Sequence, residues 1–247
     1  MSFDFLFQPV ESLDAWLEGL FAGSPLLVAL GIAFLLGLRH ASDPDHLVAV
    51  TSLVASDQGD TRSAARLGAW WGLGHAATLL LIGLPLIFFK SELPGWLESG
   101  AEKAVGVVIL VLAARVLAKW VRGDYRASRH EHSDVAREHR HLHHEEQAHR
   151  HEAARTPRQA FAIGLLHGLA GTGAVVLLLL AALPSQLEAA AALAVFAPMS
   201  VVSMAACTSA FAWVLTRRPI DPIYRGVLIP LLGLFGLTFG LWYTGIT

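Results

Sequence analysis

The sequence predicts an all-α integral membrane protein of about six transmembrane helices, the first of them broken near Pro44. Three observations predict it. The 247 residues are 54% hydrophobic and only 15% charged, with a mean hydropathy of +0.52, far from the balance of a soluble domain of this size. Six apolar runs are each long enough to cross a bilayer, which takes ~20 residues for ~30 Å of hydrocarbon. The charges, net -2, collect between those runs and form no basic surface of the kind that nucleic acid requires. One cysteine, Cys207, rules out an intrachain disulfide, so helix packing must hold the fold.

Residues 1–24 carry Asp4, Glu11, Asp14 and Glu18 without any Lys or Arg, the reverse of a secretory signal peptide. Val10, Leu13, Trp16, Leu17, Leu20 and Phe21 recur at helical spacing opposite the acids, which predicts an extracytoplasmic helix lying on the membrane surface. The six spans follow at residues 25–55, 67–89, 102–121, 159–183, 189–216 and 222–244. Residues 122–158, between the third and fourth, form a polar loop rich in His, Glu and Arg with no apolar positions for a core. The chain therefore divides into the surface segment 1–24, three spans over 25–121, the loop 122–158 and three spans over 159–247.

Orientation follows from the basic residues of the connections. Arg62 and Arg66, nine from Lys119 to Arg158, and Arg217, Arg218 and Arg225 place fourteen on one side, against Lys90 and Lys103 on the other. The positive-inside rule puts the basic loops in the cytoplasm and both termini outside, which six crossings require. The expected location is the inner (plasma) membrane. Arg39 and Arg115 fall within apolar runs.

Eight of the twelve histidines (His130, His132, His139, His141, His143, His144, His149 and His151) lie in the polar loop, where they would buffer metal ions weakly. The other four lie inside spans, where an ionisable group is costly enough to be a functional hypothesis by default. Gly37 to His46 reads GLRHASDPDH, with five ionisable groups in eight residues. On a straight helix His40, Asp43 and His46 share a face and Asp45 points away. Pro44 lacks the amide that would bond to His40 and disfavours helical geometry at Asp43, so a break here would bring Asp45 into the cluster and free backbone groups as further ligands. His46, His75, His167 and Cys207 all fall ~14–15 Å from the cytoplasmic boundary at 1.5 Å per residue, at one depth on different helices. Imidazole and carboxylate together suit late first-row divalent cations such as Ni²⁺ and Co²⁺, whereas Mg²⁺ and Ca²⁺ want oxygen alone. The plainer alternative is a set of interhelical hydrogen bonds, with Arg39 neutralising Asp43 or Asp45.

These residues resemble the nickel/cobalt transporter family, whose signature is His, four residues, then Asp-His, usually within an Arg-His-Ala-x-Asp-Ala-Asp-His string; Arg39 to His46 reads RHASDPDH. The resemblance implies that His40, Asp45 and His46 bind and select the metal, with Asp43 matching the first aspartate of the string. A second family pattern, Gly-His in the next helix, is similar to Gly74-His75 in WGLGHAAT. Where the best-known members carry an acidic Asp-Thr-Ala-Thr-Glu string, this chain has GLLHGLAGTGAVV around His167, and its fifth span reads FAPMSVVSMAACTSAF without an acid. Both stretches look more like the shorter, urease-associated nickel permease branch. GLRH at 37–40 recurs as GLLH at 164–167, which suggests two inverted three-helix halves with the site between them.

The reading is transport of nickel or cobalt, in the direction of uptake, through a mid-membrane site formed by His40, Asp43, Asp45, His46, His75 and His167. No cofactor is expected beyond the transported ion, and a cytoplasmic metallochaperone is a candidate partner. The alternatives are an exporter of the same metals, an intramembrane metalloenzyme, for which no separate general base is evident, and a metal sensor that passes no ion. Gly168, Gly171 and Gly173 suit close helix packing, and Ser203 and Thr172 could face either the ion path or a neighbouring helix.

Overall fold

A computed structural model describes residues 24–57, 61–123, 156–215 and 223–245, together with scattered positions among the first 23, although the side chains of some of these residues are not described. The His-rich loop lies outside the described residues except at its two ends, as do Val10, Leu17 and Phe21 of the expected surface helix. Leu13, Trp16 and Leu20 are helical and exposed.

The described residues form an all-helical bundle. The helices are α1 (Leu26–Arg39), α2 (Pro44–Asp57), α3 (Thr61–Thr78), α4 (Leu84–Phe89), α5 (Gly95–Arg122), α6 (Pro157–Ala182), α7 (Gln186–Leu215) and α8 (Ile229–Tyr243). A π-helical turn at Leu79–Gly83 joins α3 to α4 in one 29-residue span, Thr61–Phe89, and another at Tyr224–Leu228 leads into α8. By length and hydropathy four stretches can cross a membrane: Thr61–Phe89, Gly95–Arg122, Gln186–Val214 and Gly226–Tyr243. The pair α1 and α2, bent by 49°, makes a fifth as a broken span. The remaining expected segment is α6, whose 26 residues would reach ~39 Å at 1.5 Å per residue. Leu27, Leu81, Phe89 and Leu187 are exposed on the outside of the bundle, as lipid-facing positions should be.

The sequence explains the ends of these helices. Thr156 and Gln159 form a capping box ahead of Pro157, the first residue of α6, satisfying amides that have no partner within the helix. Gln186 at the start of α7 donates from Nε2 to the carbonyls of Ile87 (3.1 Å) and Phe88 (3.0 Å), closing the end of α4. Gly123 ends α5 at φ 81°, a conformation that disfavours a side chain.

The helices pair in a pattern that largely survives exchanging the α1–α2 pair, the first span, with α6, α3 with α7 and α5 with α8. The first span packs on α7 as α6 packs on α3, α3 pairs with α7, and α5 pairs with α8; a contact between α2 and α5 breaks the correspondence. Gly37 and Gly164, the leading residues of the two similar tetrapeptides, occupy matching places. A Cβ on Gly37 would lie 2.6 Å from the Phe196 carbonyl oxygen, and one on Gly164 would lie 2.0 Å from that of Trp71. Gly74 and Gly168 complete the α3–α6 contact, where a Cβ would come within 2.1 Å of Phe161 O and 2.6 Å of His75 O. Small residues let membrane helices approach this closely. Gly171, expected to join them, has nothing among the described residues within 4 Å of its Cβ position because it lies off the contact line. Gly173 lies outside the residues whose side chains are described.

Candidate metal centre

The first span breaks as Pro44 requires. α1 ends at Arg39, His40–Ser42 form a 3-10 turn, Asp43 is extended (φ -62°, ψ 144°), and Pro44 opens α2. A residue before proline avoids helical geometry, and proline itself fits the first position of a helix. Three carbonyl oxygens at the break are occupied. Ser203 of α7 donates to Leu38 O (2.5 Å), Ser42 donates to Arg39 O (2.5 Å), and the Asp43 amide donates to His40 O (3.2 Å). Ser203 also accepts from the Ala41 amide at 3.2 Å. These three oxygens, part of the expected supply of backbone ligands, are therefore already hydrogen-bonded, and Ser203 serves the helix–helix contact. Thr172 lies outside the residues whose side chains are described.

Five of the six expected site residues converge. His40 Nε2 lies 2.9 Å from His75 Nε2. Asp45 reaches His46 Nδ1 through Oδ1 at 3.1 Å and His167 Nε2 through Oδ2 at 2.9 Å. The four histidines are nearly inaccessible: His75 is 0% exposed and His40, the most open, 8%. Their rings are packed together, with centroids 4.2 Å apart for His46 and His167 and 4.5 Å apart for His40 and His46. Two ligand atoms that each lie ~2.1 Å from one ion at right angles are ~3 Å apart, which is the spacing these pairs already have. Asp43 faces the other way. It accepts from Arg39 Nη1 at 2.9 Å and contacts His40 Nδ1 at 3.0 Å, which orients the ring from outside the cluster.

The bend reverses the straight-helix geometry, in which Asp43 shares the histidine face and Asp45 points away. The α3–α6 contact sets His75 against His167: Thr78 donates to Leu165 O at 2.9 Å, and the backbones meet through Gly74, Gly164 and Gly168. Cys207 belongs to neither ligand group among the described residues. It packs with Leu67, Trp71 and Met204 as a small hydrophobe.

Trp71 was not singled out by sequence, although it lies one helical turn before His75. It is 2% exposed, its ring is 5.5 Å from those of both His46 and His167, and its indole nitrogen has no hydrogen-bond partner among the described residues. The same holds for His46 Nε2 and His75 Nδ1. Buried polar atoms are rarely left unmatched, and three of them lie beside this one cluster.

Fold and site define a multi-pass membrane protein with a buried histidine–aspartate cluster at the break of its first span. The chain belongs to the NicO family, described as high-affinity nickel-transport protein, whose model matches residues 26–216. It is 28% identical over 218 residues to the urease accessory protein UreH of Bacillus sp. (strain TB-90), covering 88% of this chain and 91% of that protein. It is 36% identical over 106 residues to the high-affinity nickel transport protein of Cupriavidus necator, covering 42% of this chain and 30% of the relative. It is also 30% identical over 198 residues to the chloroplast protein FOR GROWTH AND FERTILITY 1 of Arabidopsis thaliana, 76% of this chain and 50% of that one. The chain thus spans nearly all of the first relative and half or less of the other two. No solved structure matches it.

Proposed function

We propose that this protein carries Ni²⁺ or Co²⁺ across the inner (plasma) membrane into the cell, with the ion as cargo bound at His40, Asp45, His46, His75 and His167. The observation that carries the reading is the convergence of those donors from three separate spans into two groups, the ligand atoms of each lying within 4.8 Å of one another. Plain interhelical hydrogen bonding does not account for it, because His46 and His75 each keep a buried nitrogen without a partner among the described residues. Charge supports a cation too. With neutral imidazoles, Arg39 balances Asp43 and leaves Asp45 as a buried negative charge, which is costly without a counter-ion. Nitrogen-rich donors with one carboxylate favour nickel and cobalt over the oxygen-seeking cations.

Asp43 holds the His40 ring in place and is not itself a ligand. Binding needs neutral imidazole and ionised carboxylate, so proton concentration and ion occupancy are linked. In the proposed topology both termini lie outside and the histidines of residues 122–158 collect ions at the cytoplasmic mouth. A cytoplasmic metallochaperone is the proposed recipient, in keeping with the urease-accessory name of the relative UreH. The test is radiolabelled Ni²⁺ and Co²⁺ flux into sealed proteoliposomes of known protein orientation, comparing the intact chain with His46→Ala. Flux that disappears in the variant is expected; equal flux in both, or none in either, overturns the proposal.

A further inference from the structure

The five donors form two groups of three, His40–His46–His75 and Asp45–His46–His167, and His46 alone belongs to both. Its ring lies between them, 4.5 Å and 5.4 Å from those of His40 and His75 and 4.2 Å from that of His167. Its Nδ1 meets Asp45 at 3.1 Å, while its Nε2 has no hydrogen-bond partner among the described residues. The groups back onto different helices. His40 packs on Phe196 of α7 at 5.1 Å, whereas His167 lines a small apolar void with Ala49, Val105 and Ile109, against α5. We infer that the ion occupies two adjacent stations in turn, one of three imidazoles and one of two imidazoles and a carboxylate, with His46 as the ligand they share.

The inference rests on the transport reading and adds a path within the site. A neutral imidazole offers one lone pair, so His46 serves one ion at a time and the stations fill alternately. The stations differ in charge: Asp45 gives one of them an anionic ligand, and the other has only neutral donors. Neither alone holds all five donors, which keeps each from becoming a trap, since carriage requires that an ion bind well enough to enter and weakly enough to leave.

The test is a set of paired substitutions read by Ni²⁺ binding to the purified full chain in detergent, with thermal melting to monitor folding. His40 and His75 share a station, so His40→Gln/His75→Gln should bind one Ni²⁺ within a few-fold of His40→Gln alone. His40→Gln/His167→Gln breaks both stations and should bind more than ~30-fold more weakly than either single variant, a non-additivity expected only where residues act as units. Both double variants delete two buried histidines, so each controls for the other's folding. A single five-ligand site predicts similar losses in the two, and that result, or retention in both, overturns the inference while leaving transport standing. Absence of Ni²⁺ binding by the unsubstituted chain overturns the transport reading itself.

Discussion

Gly164→Ala is the sharpest test of how the bundle builds the site. The new Cβ would sit 2.0 Å from Trp71 O, 2.9 Å from Trp71 C and 3.0 Å from His75 N. All three are backbone atoms, so no rotamer change relieves the clash. Real Cβ contacts essentially never fall below 3.0 Å, so α3 and α6 must separate by at least 1.0 Å where they cross. His75 lies on one side of that crossing and His167 on the other, and their donors reach His40 and Asp45 at 2.9 Å each. Sites of this kind tolerate only ~0.5 Å of misplacement. The expected cost is ~1–3 kcal/mol of stability, the range for overpacking, with Ni²⁺ flux falling ~100-fold, as a displacement of this size does elsewhere. The assay is proteoliposome flux alongside thermal melting in detergent, with Gly171→Ala as the control. That position on the same helix has nothing among the described residues within 4 Å, so alanine there should be neutral or slightly stabilising. Equal flux and melting for Gly164→Ala and the unsubstituted chain, or equal damage from both variants, refutes the reasoning.

Ser203→Ala removes the hydroxyl that joins Leu38 O and Ala41 N; thermal melting should fall by an amount equivalent to ~1–2 kcal/mol. Asp43→Asn removes the charge that orients His40 and pairs with Arg39; Ni²⁺ affinity measured by calorimetry should drop ~10–100-fold, the usual effect of losing a residue that positions a ligand. Cys207→Ala should leave Ni²⁺ affinity unchanged, because the thiol lies outside both ligand groups; a drop of tenfold or more would make it a ligand after all.

Much of this was legible because membrane physics restricts what a sequence can do. An apolar run of sufficient length has little choice but to be a helix, and helices rise at a fixed rate. Counting residues from the basic loops was therefore enough to place His46, His75 and His167 at one level, where their rings are found within 4.2–6.1 Å of each other. Pro44 announced the break. Counting could not say which carboxylate turns inward, because that depends on the single extended residue Asp43, whose ψ of 144° swings one aspartate toward Arg39 and carries the other to His167. Trp71 does not stand out in the sequence, and Gly171 lies off the contact expected for it, because which face of a helix meets a neighbour is settled by packing, and α3 and α6 carry too many small and apolar residues for a stripe to stand out.

The occupied carbonyls at the break of the first span bear on selectivity. Free backbone oxygens at a broken span add oxygen donors, which favour Mg²⁺ and Ca²⁺, cations that prefer six or more such ligands. Two serine hydroxyls and one amide take those of Leu38, Arg39 and His40 instead. If the ion binds as proposed, the hydroxyls of Ser42 and Ser203 would weigh on its choice without touching it: a carbonyl oxygen that already accepts a hydrogen bond is a poorer ligand, which leaves more of the coordination to imidazole.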